Sequence, residues 1–110
     1  MIVRIVRMEF MPEKVKDFMD LFTATRSKIA SFEGCTGLQL LNDTQTTNVF
    51  FTYSNWESEK HLDNYRNSEL FKQTWTKTKA MFSNKPQAWS LQIMNIEQGI
   101  SNAEGNTRTN

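Results

Sequence analysis

The side chains best suited to chemistry in this sequence fall close together. Trp56 closes an aromatic run, Val49-Phe50-Phe51-Thr52-Tyr53-Ser54-Asn55, and is followed by Glu57-Ser58-Glu59-Lys60-His61-Leu62 and then Tyr65. An indole can stack on a planar substrate or hydrogen-bond to it, although a Trp at a strand-to-helix junction as readily fills a core or a cavity mouth. His61, the only histidine, has an ordinary pKa near ~6.5 and suits the removal of a phenolic proton. The plainer alternative is an exposed histidine at a helix start. His61 precedes Tyr65 by four positions, so the two share a helical face. Tyr65 can hydrogen-bond a substrate oxygen, or serve as a core tyrosine with a satisfied hydroxyl. Asn55 can polarise a carbonyl or cap the following turn. Thr52 and Arg26 are further, weaker candidates for contact with a substrate.

Composition narrows the class. One hundred and ten residues make one domain, with enough chain for a single thin core. A net charge of +1 carries no footprint for nucleic acid, which calls for clustered Lys and Arg. No apolar run reaches the ~20 residues that span a bilayer, and Met1-Ile2-Val3-Arg4-Ile5 does not read as a signal peptide. One cysteine, Cys35, excludes an internal disulfide and a cysteine-based zinc site, and the lone histidine argues against a zinc site of several imidazoles. The expected compartment is the cytoplasm. Eight Phe, three Trp, two Tyr and six Met make the buried volume aromatic and polarisable. That suits a compact core or a pocket for a flat ligand. The methionines read as core filler.

The elements that must position these side chains follow from periodicity. Ile2 to Met11 reads as a strand with apolar residues on both parities, so both faces are expected to be covered. Pro12 stops it and suits the first turn of a helix. Val15, Phe18, Met19, Phe22, Ile29 and Phe32 then follow three- and four-residue steps, predicting an amphipathic helix to about Ser31 that ends at Glu33-Gly34. Thr36–Asn42 and Thr47–Asn55 read as a hairpin around Asp43-Thr44-Gln45-Thr46. Ser58 is the expected N-cap of a helix over Glu59–Arg66, Asn67-Ser68 a break and a second cap, and Leu70, Phe71, Thr74, Thr78, Met81 and Phe82 a second apolar stripe. A final strand runs from Trp89 through Leu91 and Ile93 toward Ile96. The domain is placed at 1–96. The polar tail, 97–110, is expected to be disordered alone and held by a partner subunit. The order is β-α-β-β-α-β with a broken second helix: a ferredoxin-like α+β fold with a four-stranded antiparallel sheet and helices on one face. The bare face predicts a homodimer through the sheets.

With these elements in place, Phe10-Met11-Pro12, Phe32-Glu33-Gly34-Cys35-Thr36-Gly37, Trp56-Glu57-Ser58-Glu59, His61-Leu62 and Asn67-Ser68-Glu69-Leu70-Phe71 together resemble the antibiotic biosynthesis monooxygenase superfamily over roughly residues 2–96. The resemblance implies a dimeric α/β barrel of two facing sheets, with a ligand cavity in each subunit between sheet and helices. It does not imply one reaction. In the haem-degrading branch, the positions of the histidine ligand, the tryptophan and the asparagine fall here at Trp75, Tyr65 and Val6, and an indole cannot ligate iron through its N–H. In the polyketide-oxygenase branch, Trp56 is kept, while Thr52 and Leu62 replace an asparagine and a tyrosine. The quinol-oxidising branch shares Trp-Glu-Ser followed by His-Leu and is the nearest local match. The resemblance thus implies a cofactor-independent monooxygenase acting with dioxygen on a quinol or polyketide-type phenol. His61, Tyr65 and Trp56 are its catalytic candidates, and Trp75, Asn55, Thr52 and Phe71 its substrate contacts, with no metal or organic cofactor. The alternatives are a non-catalytic small-molecule-binding domain of the same fold and, third, a divergent haem-binding member.

Overall fold

The alternation of side chains along the first strand sets the architecture. In the computed structural model, which describes residues 1–94, β1 (Ile2–Glu9) leads through a 3-10 turn (Pro12–Lys14) into α1 (Val15–Ala30). The strands β2 (Cys35–Asn42) and β3 (Val49–Trp56) follow, then α2 (Glu59–Arg66), α3 (Glu69–Lys79) and β4 (Gln87–Gln92). The sheet runs β2-β3-β1-β4 with every neighbour antiparallel. This is the ferredoxin-like α+β arrangement with the second helix broken. Asn95, Ile96 and the tail lie outside the described residues.

Even-numbered residues of β1 and β3 face the helices. Met8, Phe10 and Phe50 pack with Phe18 of α1 into the core, and Val6, Phe22, Leu40, Trp75 and Phe82 close around them. Phe10 is fully buried. Its ring lies 4.1 Å from Phe18 and 5.3 Å from Phe82. The odd-numbered residues of β1 form the other face, where Ile5 stands between Tyr53 and Trp89, and Val3 between Asn55 and Leu91. Leu41, Trp89 and Leu91 are exposed there, at 44%, 42% and 48%. The two apolar parities of β1 thus serve two faces, one covered by helices and one open to solvent in the single chain. Met19, expected in the core, is exposed at 38% because it lies one step off the buried stripe of α1.

Capping marks the breaks. Ser58 Oγ accepts from the His61 amide at 3.2 Å and Ser68 Oγ from the Phe71 amide at 3.1 Å, so each helix start satisfies one orphan N–H. Asn67 falls between the two helices as the break. Gly34, at φ +90°, turns the chain from α1 into β2, and its carbonyl accepts from the Glu57 amide at 2.8 Å. A Cβ at Gly34 would run into the imidazole of His61. Gly34→Ala is therefore expected to lower stability by about 2 kcal/mol or more, from backbone strain and overlap together. Adding His61→Ala to that variant should recover part of the loss in urea denaturation. No recovery would mean that the ring is not seated on Gly34.

Candidate functional site

Between the helix-facing side of the sheet and the three helices lies a cavity of about 320 Å³, within the usual size range of small-molecule sites. Val6 and Met8 of β1, Leu38 of β2, and Thr52, Ser54 and Trp56 of β3 form its floor. Phe18, Phe22 and Ile29 of α1 wall one side; Tyr65, Phe71 and Trp75 of α2 and α3 wall the other. The alternation of β3 explains this placement, since positions 52, 54 and 56 share one face.

Trp56 is buried to 1% exposure, and its Nε1 donates to Ser54 Oγ at 2.9 Å. Ser54 Oγ in turn donates to the Arg4 carbonyl at 3.4 Å. The indole stacks on Tyr65 with centroids 4.9 Å apart and planes 24° apart. Tyr65 meets Phe32 and Phe71 edge-on, and Phe71 stacks on Trp75 at 5.8 Å. Trp75 continues to Phe82 and so to the core around Phe10. Burial pushes the Tyr65 phenol up to about 12, with the neighbouring Cys35 adding to the shift. Its hydroxyl has no hydrogen-bond partner among the described residues.

Five sequence candidates, Trp56, Tyr65, Trp75, Phe71 and Thr52, line this cavity. His61 and Asn55 do not. The His61 ring turns back over Gly34, with Nδ1 2.7 Å from Ser58 Oγ and Nε2 3.9 Å from Glu57 Oε1. Its geometry is that of a second fastening at the helix start, and the shared helical face with Tyr65 does not bring it to the cavity. Asn55 lies on the opposite parity of β3, with its amide over Gly37 on the other sheet face, and Ser58 does the capping in its place. Arg26 is exposed on α1 and does not line the cavity.

Sequence reasoning passed over Arg4, Ser54, Thr25, Arg66 and Thr74, all of which line the cavity. Arg4 carried a signal, a charge on the same parity as Val6 and Met8. Arg66 carried another, one helical turn beyond Leu62 and next to Tyr65. No group of three or more His, Cys, Asp or Glu able to hold a metal is found among the described residues. No helix among them is long and apolar enough to cross a membrane.

Such a sheet, roofed by a broken helix over an aromatic pocket, defines a domain of the ferredoxin-like α+β class. Residues 1–77 match the antibiotic biosynthesis monooxygenase family, and the chain belongs to it. Among similar solved structures is one described as an antibiotic biosynthesis monooxygenase, with TM-score 0.81 and 17% identity over 86% of this chain and all of that one. A conserved protein from Methanosarcina mazei Go1 has TM-score 0.77 and 21% identity over 82% of this chain and 90% of its own. The protein PA3566 from Pseudomonas aeruginosa has TM-score 0.75 and 17% identity over 86% and 94%. At these identities the likeness is one of fold. No protein of curated function matches the chain.

The raised Tyr65 pKa has a consequence for stability. The unfolded chain loses this proton near pH ~10, whereas the folded chain holds it to about 12. Stability from the buried neutral phenol is therefore complete below pH ~10 and lost as pH rises to about 12, by on the order of 2 kcal/mol. Tyr65→Phe should flatten that alkaline decline in denaturation curves. An unchanged decline would contradict the assignment.

Proposed function

We propose that this chain is a cofactor-independent monooxygenase of electron-rich phenols or quinols. The observation that carries the reading is the cavity itself: aromatic walls from Trp56, Tyr65, Phe71 and Trp75 around a space of about 320 Å³. A flat substrate stacks between them, and water is held away from the reacting carbon. The deprotonated substrate gives one electron to dioxygen, forming a substrate radical and superoxide. The two recombine as a carbon-bound peroxide, which loses water to leave a new carbonyl. One dioxygen atom ends in product and the other in water, and the substrate supplies both electrons. Tyr65 is protonated at neutral pH and serves as a hydrogen-bond donor to the substrate or peroxide oxygen. His61 has no part in this step.

The second reading is a non-catalytic binding domain for a small aromatic molecule. It is favoured by one observation, that neither an imidazole nor a carboxylate is among the cavity-lining residues. In both readings the working unit is a homodimer joined by the open sheet faces. Support for it comes from the exposed Leu41, Trp89 and Leu91 beside buried Val3, an apolar patch of the kind that marks a contact surface.

An oxygen electrode tests the leading reading. A panel of quinols and anthrones should draw oxygen faster than buffer alone, with Tyr65→Phe lowering kcat about tenfold or more and His61→Ala leaving kcat unchanged. No uptake above buffer across the panel would remove the monooxygenase reading and leave the binding domain. Sedimentation should give about twice the 12.9 kDa chain mass, reverting to monomer in Leu91→Lys. A monomeric wild type would remove the proposed dimer.

A further inference from the structure

The cavity has a charged end. Arg4 lies on the helix-facing parity of β1, beside Val6 and Met8, and is half-buried. A guanidinium on the core side of a sheet is costly unless its donors are satisfied and its charge is met. One donor is satisfied, since Arg4 Nη1 donates to Ser90 Oγ at 2.8 Å across the β1–β4 pair. Among the described residues no carboxylate pairs with its charge. Burial lowers the Arg4 pKa, and the like charge of Arg66 lowers it further.

Arg66 ends α2, is exposed, and lines the same cavity. Among the described residues neither arginine stands in an ion pair, although Arg7, Lys14 and Lys16 each have a carboxylate within 4.0 Å. Among the described residues no Asp or Glu lines the cavity. Two guanidinium groups therefore converge on an aromatic pocket that holds no anion of its own. Guanidinium donors are arranged to match a carboxylate or an aryl oxyanion.

We propose that Arg4 and Arg66 form an anion subsite, and that the cavity selects planar aromatic anions, with the ring against Tyr65, Phe71 and Trp75 and the anionic oxygen at the guanidinium groups. This rests on the cavity being the ligand site and is independent of turnover. It also supplies what the proposed oxygenation otherwise lacks. With neither an imidazole nor a carboxylate among the cavity-lining residues to take the proton, a cationic subsite stabilises the phenolate and so favours the electron-rich form of the substrate.

Calorimetric titration of the full chain with 2-naphthoate and with 2-naphthamide, its neutral counterpart of the same shape, tests the subsite. The naphthoate should bind at least about tenfold tighter, as expected for charge-assisted hydrogen bonds, and lose affinity with added salt. Arg4→Met should abolish the preference without weakening naphthamide. Arg66→Gln, at an exposed position where folding is not at stake, should reduce it. Equal affinity for the two, binding of neither, or a preference that survives in both variants would each overturn the proposal. Anion preference without oxygen consumption would remove the monooxygenase reading and leave the subsite standing. Oxygen consumption without anion preference would do the reverse.

Discussion

The structure depends on how one indole is held. Trp56 ends β3, is buried to 1% exposure, and satisfies its N–H on Ser54 two residues back on the same strand face. A buried indole needs such a partner, and without it the ring would be driven from the interior. Once fixed, the ring presents its face to Tyr65, and that stack locates α2 over the sheet. From Tyr65 the aromatic series passes through Phe71 and Trp75 to Phe82 and the core at Phe10. The rings touch along the helices instead of filling the middle, and the cavity is the space they enclose.

Much of this was legible in the sequence because periodicity and capping have local causes. Ser58 and Ser68 announced the two helix starts, and Gly34 marked the turn out of α1. The four-stranded antiparallel sheet followed from the order of the elements and the split-βαβ rule. What local reasoning could not supply was direction at element ends. His61 and Tyr65 share a helical face in projection, yet the imidazole turns toward Gly34 and Ser58 while the phenol turns to the cavity. The sequence neighbours Asn55 and Trp56 lie on opposite sides of the sheet. A reading by proximity in sequence joined them, and the strand pleat separates them. Arg4 shares the parity of Val6 and Met8, yet a charge in an apolar strand gives no local sign of which face is lined by a cavity.

Family membership fixes the scaffold and leaves the chemistry to the cavity of this chain. Trp56, at a position the polyketide-oxygenase branch keeps, is here a structural anchor with one face on Tyr65. Thr52 and Ser54 are small, and with Ala88 they leave room on the floor where larger side chains would close it. The proposed chemistry asks little of the protein beyond exclusion of water, orientation and stabilisation of an anion. An aromatic enclosure with two arginines at one end and a protonated phenol in the wall meets those needs.

On the proposed function a flat aromatic ligand enters the space between sheet and helices. The three tryptophans make this directly measurable, since Trp56 and Trp75 line the cavity while Trp89 lies on the opposite sheet face. In an amide-and-indole NMR titration with 2-naphthoate, the Nε1–H signals of Trp56 and Trp75 should shift together and saturably while that of Trp89 stays in place. A shift confined to Trp89, or no shift at all, would contradict the account.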